Sequence, residues 1–159
     1  MKNTIVLDNS HILSAVYPKN GTYSRGISFS NMNGSSIEMK NNSTIKGFYY
    51  AINVTALNDN LSISIVDSKI DSWAGLNIWS SNNKFKIANS TLESHNYQLK
   101  GSNDFATIVL NKDEEDNAIN NSFHIKNANL FAFRKVQLCN ILFLFVVRVI
   151  HLILVRALY

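Results

Sequence analysis

The chain has 159 residues, of which 46% are hydrophobic and 16% are charged, and its formal net charge is +4. This length suits one domain that can bury a core. Arg134, Lys135, Arg148 and Arg156 lie at positions 134–159, and removing these four from the fifteen basic residues leaves eleven, which equals the eleven acidic residues. A neutral body offers no electrostatic surface for phosphate, so we predict no nucleic-acid partner.

The body of the chain is rich in Asn, Ser and β-branched residues, which are poor helix formers, so an all-β fold is favoured. The single cysteine, Cys139, can form no internal disulfide and has no Cys or His at metal-ligand spacing. Residues 1–10 lack the apolar stretch of a secretory signal peptide. These features predict neither a cofactor nor a cysteine-based metal site.

A pattern of three apolar positions, which we call the frame, recurs along the chain. The second position follows the first by two residues, and the third follows the second by five. The frame occurs four times without change and once with an extra residue before its third position. The five copies in chain order are Ile5, Leu7, Ile12; Ile37, Met39, Ile45; Ile63, Ile65, Ile70; Phe85, Ile87, Leu92; and Phe123, Ile125, Leu130. The period-2 spacing predicts a strand with one buried face in each copy.

Small polar residues separate the second and third frame positions, and Asn and Asp tolerate the backbone angles of tight turns. These corner residues are Asn9, Ser10; Asn41, Asn42, Ser43; Asp67, Ser68; Asn89, Ser90; and Asn127, Ala128. A further apolar-polar-apolar strand follows in four copies, at Ile27–Phe29, Ile52–Val54, Leu76–Ile78 and Tyr97–Leu99. Each copy therefore predicts a strand, a tight corner, a short strand, a longer turn and another strand.

The third frame positions recur at intervals of variable length, at Ile12, Ile45, Ile70, Leu92 and Leu130. Variable insertions into a fixed frame suit a solenoid, in which equivalent side chains stack and the copies bury one core together. We therefore predict a right-handed parallel β-helix of about five coils over residues 1–133. An antiparallel sandwich would also contain alternating strands, but it does not explain the repeated spacing.

The runs Asn42–Gly47 and Asn89–Ser94 make residues 3–133 resemble the pertactin-like passenger domains of bacterial autotransporters. This resemblance implies a right-handed β-helix on, or released from, the bacterial surface, with an adhesive or self-associating role. The implied partners are a protein or glycan of a host surface or neighbouring cell, or another copy of the chain. The chain lacks the signal peptide and membrane barrel of full-length members, so we interpret it as a fragment.

Residues 134–159 form an apolar tail in which Val136–Tyr159 contains no Ser, Thr, Gly, Asp or Glu. Its longest apolar run, Ile141–Val147, is shorter than the ~20 residues that a membrane helix requires. Three interpretations stay open: out-of-frame translation, a segment packed on the open end of the solenoid, and a membrane anchor. Membrane contact is predicted only if the tail at 136–159 is native.

No catalytic, cofactor-binding or metal residue is assigned from the sequence. Asp67 and Asp71 flank Ile70, and Glu93 follows its frame position as Asp71 does, so these two carboxylates are expected about one coil apart. We interpret them as solvated, and Asp67 as a turn residue. The remaining candidates are also given no role: His11, His95, His124 and His151, the acidic run Asp113–Asp116, the sugar-stacking candidates Tyr49, Tyr50, Trp73 and Trp79, and the glycosylation patterns at Asn20, Asn53 and Asn120.

The leading functional prediction is a non-catalytic structural and adhesive segment that displays loops, especially Lys100–Asn121, to a partner. The alternative is a carbohydrate-active β-helix enzyme or a tailspike-like glycan-binding domain. Three or more carboxylates on one exposed sheet would favour the enzyme, whereas a ladder of Asn, Ser and Thr would favour the structural segment.

Overall fold

The chain is all-β in the computed structural model, which describes residues 2–15, 24–55, 58–95, 107–110, 118, 120–135 and 142–154. For residues 132–135 and 142–154 the backbone alone is described. No helix occurs in these ranges, and the prediction of an all-β chain is confirmed. The strands are β1 (Thr4–Asp8), β2 (His11–Leu13), β3 (Arg25–Phe29), β4 (Ser36–Lys40), β5 (Thr44–Lys46), β6 (Tyr50–Val54), β7 (Ser62–Val66), β8 (Lys69–Ser72), β9 (Leu76–Ile78), β10 (Lys84–Ala88), β11 (Thr91–Ser94), β12 (Ile108–Leu110), β13 (Ser122–Lys135) and β14 (Leu142–Leu154).

The strands that carry the first two frame positions pair in parallel with one another. The order is β1, β4, β7, β10 and the first part of β13, so each strand pairs with the one three places later in the chain. The register aligns Ile5 with Ile37, Ile37 with Ile63, Ile63 with Phe85, and Phe85 with Phe123. Corresponding frame residues of successive copies are therefore direct neighbours in the sheet.

The short strands after the corner form a second parallel row, in the order β2, β5, β8, β11 and the second part of β13. Because β13 continues through the corner, it joins both rows into one sheet of nine strands, and β14 pairs with β13 as the tenth strand. The third strands form a separate parallel sheet in the order β3, β6, β9 and β12. Among the described residues, the first four copies therefore contribute one strand to each of three parallel rows, and the fifth copy contributes β13 to the first two.

The core lies between these rows and is filled by the frame residues and the third strands. Frame side chains of the interior copies are buried, and those of the first copy are partly buried. The Phe85 and Phe123 rings, neighbours in the register, stack with centroids 4.5 Å apart and planes at 8°. The most completely buried apolar side chains include Phe29, Ile37, Met39, Ile45, Ile52, Ile63, Ile65, Ile70, Leu76 and Ile78.

The Asn and Asp residues of the corners adopt the left-handed backbone conformation, which confirms their predicted role. Their φ angles range from 44° at Asn9 to 63° at Asn42 and include 47° at Asp67, 49° at Asn89 and 49° at Asn127. The short polar side chains of Asn and Asp permit this region for non-glycine residues. The chain can therefore turn sharply between the first and second strand of each copy.

A second series of left-handed residues precedes the first strand of later copies by two positions. It consists of Gly34, Asn60, Asn82 and Asn120, with φ of 70°, 61°, 60° and 55°. The sequence prediction did not include this corner. Between these turns and the first strands, side-chain amides connect the copies: Asn83 Oδ1 accepts from the Leu61 amide at 2.8 Å.

Buried serine hydroxyls also connect successive copies at the first corner. The Ser68 amide donates to Ser90 Oγ at 3.1 Å, and the Ser10 amide donates to Ser43 Oγ at the same distance. The Ser90 hydroxyl in turn donates to the Ala88 carbonyl at 2.7 Å. Each hydroxyl therefore accepts from one copy while donating within its own, so the corner leaves few buried polar groups unpaired.

The fourth copy differs from the sequence prediction in its third strand. β12, at Ile108–Leu110, occupies that place and pairs with β9, aligning Ile108 with Leu76. The predicted strand Tyr97–Leu99 lies outside the described residues. The prediction of a display loop over Lys100–Asn121 is wrong at Ile108–Leu110, because this apolar triplet forms β12 and extends the third sheet. Most of the rest of the predicted loop lies outside the described residues.

The tail contributes β14, whose backbone pairs antiparallel along almost the whole of β13. The register runs from Phe123 opposite Leu154 to Lys135 opposite Leu142. β13 itself extends two residues past the predicted boundary at Phe133. Among the described residues, no helix has the length and apolarity required to cross a membrane. The interpretations of the tail as an out-of-frame translation product, as a packed end segment and as a membrane anchor stay predictions.

Candidate functional site: a carboxylate and histidine cluster

The residues with the strongest potential for chemistry lie on the outer face of the second row of strands. Along β8, Ile70 and Ser72 are turned toward the core and Asp71 toward the outer face; along β11, Leu92 and Ser94 alternate with Glu93 in the same way. The register places Lys46 of β5 opposite Asp71, and Asp71 opposite Glu93. Neighbouring copies therefore align one cation and two anions along this face.

His95 joins the two carboxylates, and we call Asp71, Glu93 and His95 the acid–histidine cluster. His95 Nε2 lies 3.2 Å from Asp71 Oδ1 and 3.7 Å from Glu93 Oε2. One nitrogen or oxygen atom from each of the three residues lies within 4.8 Å of the others. The Asp71 side chain is 8% exposed, against 20% for Glu93 and 27% for His95. The cluster therefore has a buried end at Asp71 and a more open end at the other two residues.

The backbone at the end of β11 places the imidazole. The His95 amide donates to the carbonyls of Ser72 at 3.0 Å and Trp73 at 3.1 Å. The neighbouring Ser94 hydroxyl donates to the same Trp73 carbonyl at 2.8 Å. These bonds extend the pairing of β11 beyond its last residue, so His95 stands beside Asp71 of the preceding copy.

Two lysines flank the cluster and balance its negative charge. Lys46 Nζ lies 3.4 Å from Asp71 Oδ2, and Lys69 Nζ lies 3.1 Å from Glu93 Oε2. The lysine side chains are 51% and 44% exposed, so their amines remain near solvent. Ion pairs at such exposed positions contribute little stability. Their main effect here is to compensate two carboxylates, one of which is nearly buried.

The geometry differs from that of the paired carboxylates of glycosidases. Those enzymes hold their two carboxyl groups about 5 to 9.5 Å apart, which leaves room for the sugar or a water molecule. In the acid–histidine cluster the facing atoms lie within 4.8 Å of one another, and His95 Nε2 contacts both carboxylates. Two carboxylates and one imidazole are, however, a common ligand set for divalent transition metals.

The sequence-based expectations for this region are confirmed in part. Asp71 and Glu93 are neighbours in adjacent strands, as expected from their equal places in the frame. Asp67 lies in the corner with φ of 47° and does not join them, which agrees with its predicted turn role. The interpretation of Asp71 as solvated is wrong, because its neighbours bury the side chain. His95 was given no role and was missed.

The other candidates whose side chains the structure describes do not join the cluster. His11 and His124 lie on exposed positions of β2 and β13. His151 belongs to the part of β14 described by backbone alone, and the acidic run Asp113–Asp116 lies outside the described residues. Of the glycosylation patterns, Asn20 is likewise outside them, Asn53 is buried, and Asn120 is exposed at a corner.

The aromatic residues considered for sugar stacking mostly belong to a buried group. Tyr49, Tyr50 and Trp73 pack together with exposures of 2%, 7% and 6%. The Tyr49 and Trp73 rings lie 6.1 Å apart at 12°, and the Tyr49 and Tyr50 rings meet edge to face. Trp79 is half-buried. Tyr49, Tyr50 and Trp73 therefore form no exposed platform on which a sugar could stack.

An amide ladder runs along the third sheet. Asn77 Nδ2 donates to Asn53 Oδ1 at 2.8 Å, and Asn53 Nδ2 donates to Ser28 Oγ at 3.3 Å. Both Asn side chains are buried at 3% exposure. Each of these amides bonds to a side chain in a neighbouring copy, so this ladder connects the copies.

No protein-family model, curated protein or solved structure matches this chain.

Proposed function

We propose that the chain is a right-handed parallel β-helix of about five coils that serves as a non-catalytic structural and adhesive segment of a secreted bacterial surface protein. The observation that carries the proposal is the alignment of frame residues in successive copies, from Ile5 through Ile37, Ile63 and Phe85 to Phe123. The right hand follows the strong general preference of parallel β connections.

The polar ladders support a structural role. On the third sheet the Asn77 side chain donates to the Asn53 side chain of the preceding copy, and at the corner Ser90 Oγ accepts from the Ser68 backbone amide of the preceding copy. Side chains used in this way stiffen the stack and are not free to act on a substrate. The runs Asn42–Gly47 and Asn89–Ser94 supply the resemblance to passenger domains, which is the basis for a bacterial surface location and for an adhesive partner.

An enzymatic role on a carbohydrate is the second candidate, and Asp71 with Glu93 is the observation that favours it. Each carboxylate lies near a lysine amine, and both already contact His95 Nε2, at 3.2 Å from Asp71 Oδ1 and 3.7 Å from Glu93 Oε2. We therefore place the non-catalytic role first.

The test joins the full chain between a secretory signal peptide and an outer-membrane barrel, with an epitope tag at the junction. We expect antibody to label intact cells, and the displaying cells to adhere to a glycan or protein surface or to each other more than cells displaying the barrel alone. The purified chain should release no sugar from neutral or acidic polysaccharides. Cleavage that disappears in Asp71→Asn and Glu93→Gln variants would contradict the proposal, as would displaying cells that show no added adhesion.

A further inference from the structure

We propose that the acid–histidine cluster of Asp71, Glu93 and His95 is a binding site for a divalent transition metal, with zinc as the best-suited ion. The site would connect two successive copies through one ion, since Asp71 belongs to β8 and the other two residues to the end of β11. This inference does not depend on surface display, because it concerns an ion bound by the chain itself.

The convergence of three electron-donating atoms supports this site. His95 Nε2 faces Asp71 Oδ1 at 3.2 Å and Glu93 Oε2 at 3.7 Å. Atoms bound to one zinc ion at about 2.0 to 2.2 Å lie roughly 3 to 3.6 Å from each other. Small side-chain rotations therefore bring all three donors to binding distance, with a fourth position left for water.

The donor set determines the class of metal. One imidazole nitrogen with two carboxylate oxygens suits zinc and its neighbours in the first transition series. Calcium and magnesium prefer oxygen donors and larger ligand numbers, so they gain little from His95. We therefore expect Zn²⁺ and Co²⁺ to bind and Ca²⁺ and Mg²⁺ to bind far more weakly.

The strands hold the donors in place before any ion arrives. Asp71 and Glu93 are aligned in adjacent parallel strands, and the His95 amide is bonded to the carbonyls of Ser72 and Trp73. A site on paired strands loses less freedom on binding than one on a loop. The burial of Asp71 also keeps one carboxylate away from bulk water, which strengthens its interaction with a cation.

The two lysines affect metal binding differently. Lys46 approaches Asp71 through Oδ2, whereas the imidazole faces Oδ1, so Lys46 can stay in place when a metal binds. Lys69 approaches Glu93 through Oε2, the same atom that faces the imidazole. Lys69 therefore competes directly with a metal, and its half-exposed amine has to turn into solvent.

The experiment titrates the full-length chain with Zn²⁺ by calorimetry and follows Co²⁺ binding by visible absorption. We expect one saturable site, and a rise in Tm of about 5 °C or more at a free Zn²⁺ concentration about a hundredfold above Kd. His95→Gln and Asp71→Asn should weaken binding at least about tenfold and abolish the Co²⁺ spectrum. Lys69→Gln should tighten binding and do so more than Lys46→Gln.

His11→Gln is the matched control, because it removes an exposed imidazole in another copy and should leave the affinity unchanged. Circular dichroism of each metal-free variant verifies its fold; if Asp71→Asn does not fold, the His95 and Lys69 variants still decide. The proposal is overturned if Zn²⁺ shows no saturable binding, if His95→Gln binds it as tightly as the natural chain, or if Lys69→Gln weakens it.

Discussion

Replacing Gly75 with alanine should lower the free energy of unfolding by about 3 kcal/mol or more. Gly75 has a φ of 55° and lies between β8 and β9. A Cβ there would meet the backbone of Thr107, clashing with its carbonyl oxygen and lying 2.8 Å from its carbonyl carbon. Thr107 cannot move away without cost, because its carbonyl accepts from the Leu76 amide at 2.9 Å.

Gly34→Ala is the matched control for this substitution. Gly34 also has a left-handed backbone, with φ of 70°, but its added Cβ would meet only the flexible side chain of Lys2, at 3.1 Å. We expect a loss of about 1 kcal/mol, which reflects the backbone conformation alone. Urea unfolding followed by circular dichroism measures both variants. Equal losses would mean that the backbone of the fourth copy does not pack against Gly75.

Truncating Ile65 to alanine should cost about 4 kcal/mol, because the side chain is fully buried and lies in register between Met39 and Ile87. The cavity would affect three successive copies at once. Val6→Ala is the control: Val6 lies on the outer face of β1 at 48% exposure, and its truncation should change stability by less than about 0.5 kcal/mol.

Thermal and urea unfolding measure the loss of stability in both variants. A large loss for Val6→Ala with a small loss for Ile65→Ala would mean that the chain buries the opposite face of its strands. Similar small losses would mean that the copies do not share a tightly packed interior. Either result would contradict the assignment of the apolar frame to the core.

The strands and the first corner could be predicted because their physical requirements recur at fixed places. Ile63 and Ile65 have the period of a strand with one buried face, and Asp67 occupies a turn that Asn fills elsewhere. The second corner was missed because insertions of different length precede it. Its signal becomes visible when the copies are aligned on their first strands, which places Asn60 and Asn82 at the same position.

The third strand of the fourth copy shows where local pattern is insufficient. Tyr97–Leu99 alternates apolar and polar residues, whereas Ile108–Leu110 is entirely apolar, and both patterns fit a strand. Pairing with Leu76–Ile78 selects the later segment, and this is a contact between residues far apart in sequence. The strand propensity of each segment, which depends on its local sequence, does not determine which of the two pairs with Leu76–Ile78.

The candidate site was predicted in part for a related reason. Asp71 and Glu93 occupy the same place in successive copies, so the frame alone brings them together. His95 was missed because it has no fixed sequence spacing to a Ser or Asp and so belongs to no linear motif. Strand alternation supplies the signal that was overlooked, since His95 follows Glu93 by two residues and therefore shares its face. The positions of Lys46 and Lys69 follow from the same register.

Cysteine cross-linking between β7 and β10 tests the stacking of copies most directly. In a Cys139→Ser background, Ser64→Cys with Lys86→Cys joins register partners, whereas Ser64→Cys with Lys84→Cys is displaced by two residues. Partner Cα atoms in neighbouring strands lie about 4.8 Å apart, within disulfide range, and the displaced pair lies about 8 Å apart. Under mild oxidation we expect the first pair to form the disulfide, detected by mass spectrometry, and the second pair to remain reduced. Preferential cross-linking of the displaced pair, or none in either, would contradict the parallel in-register stack.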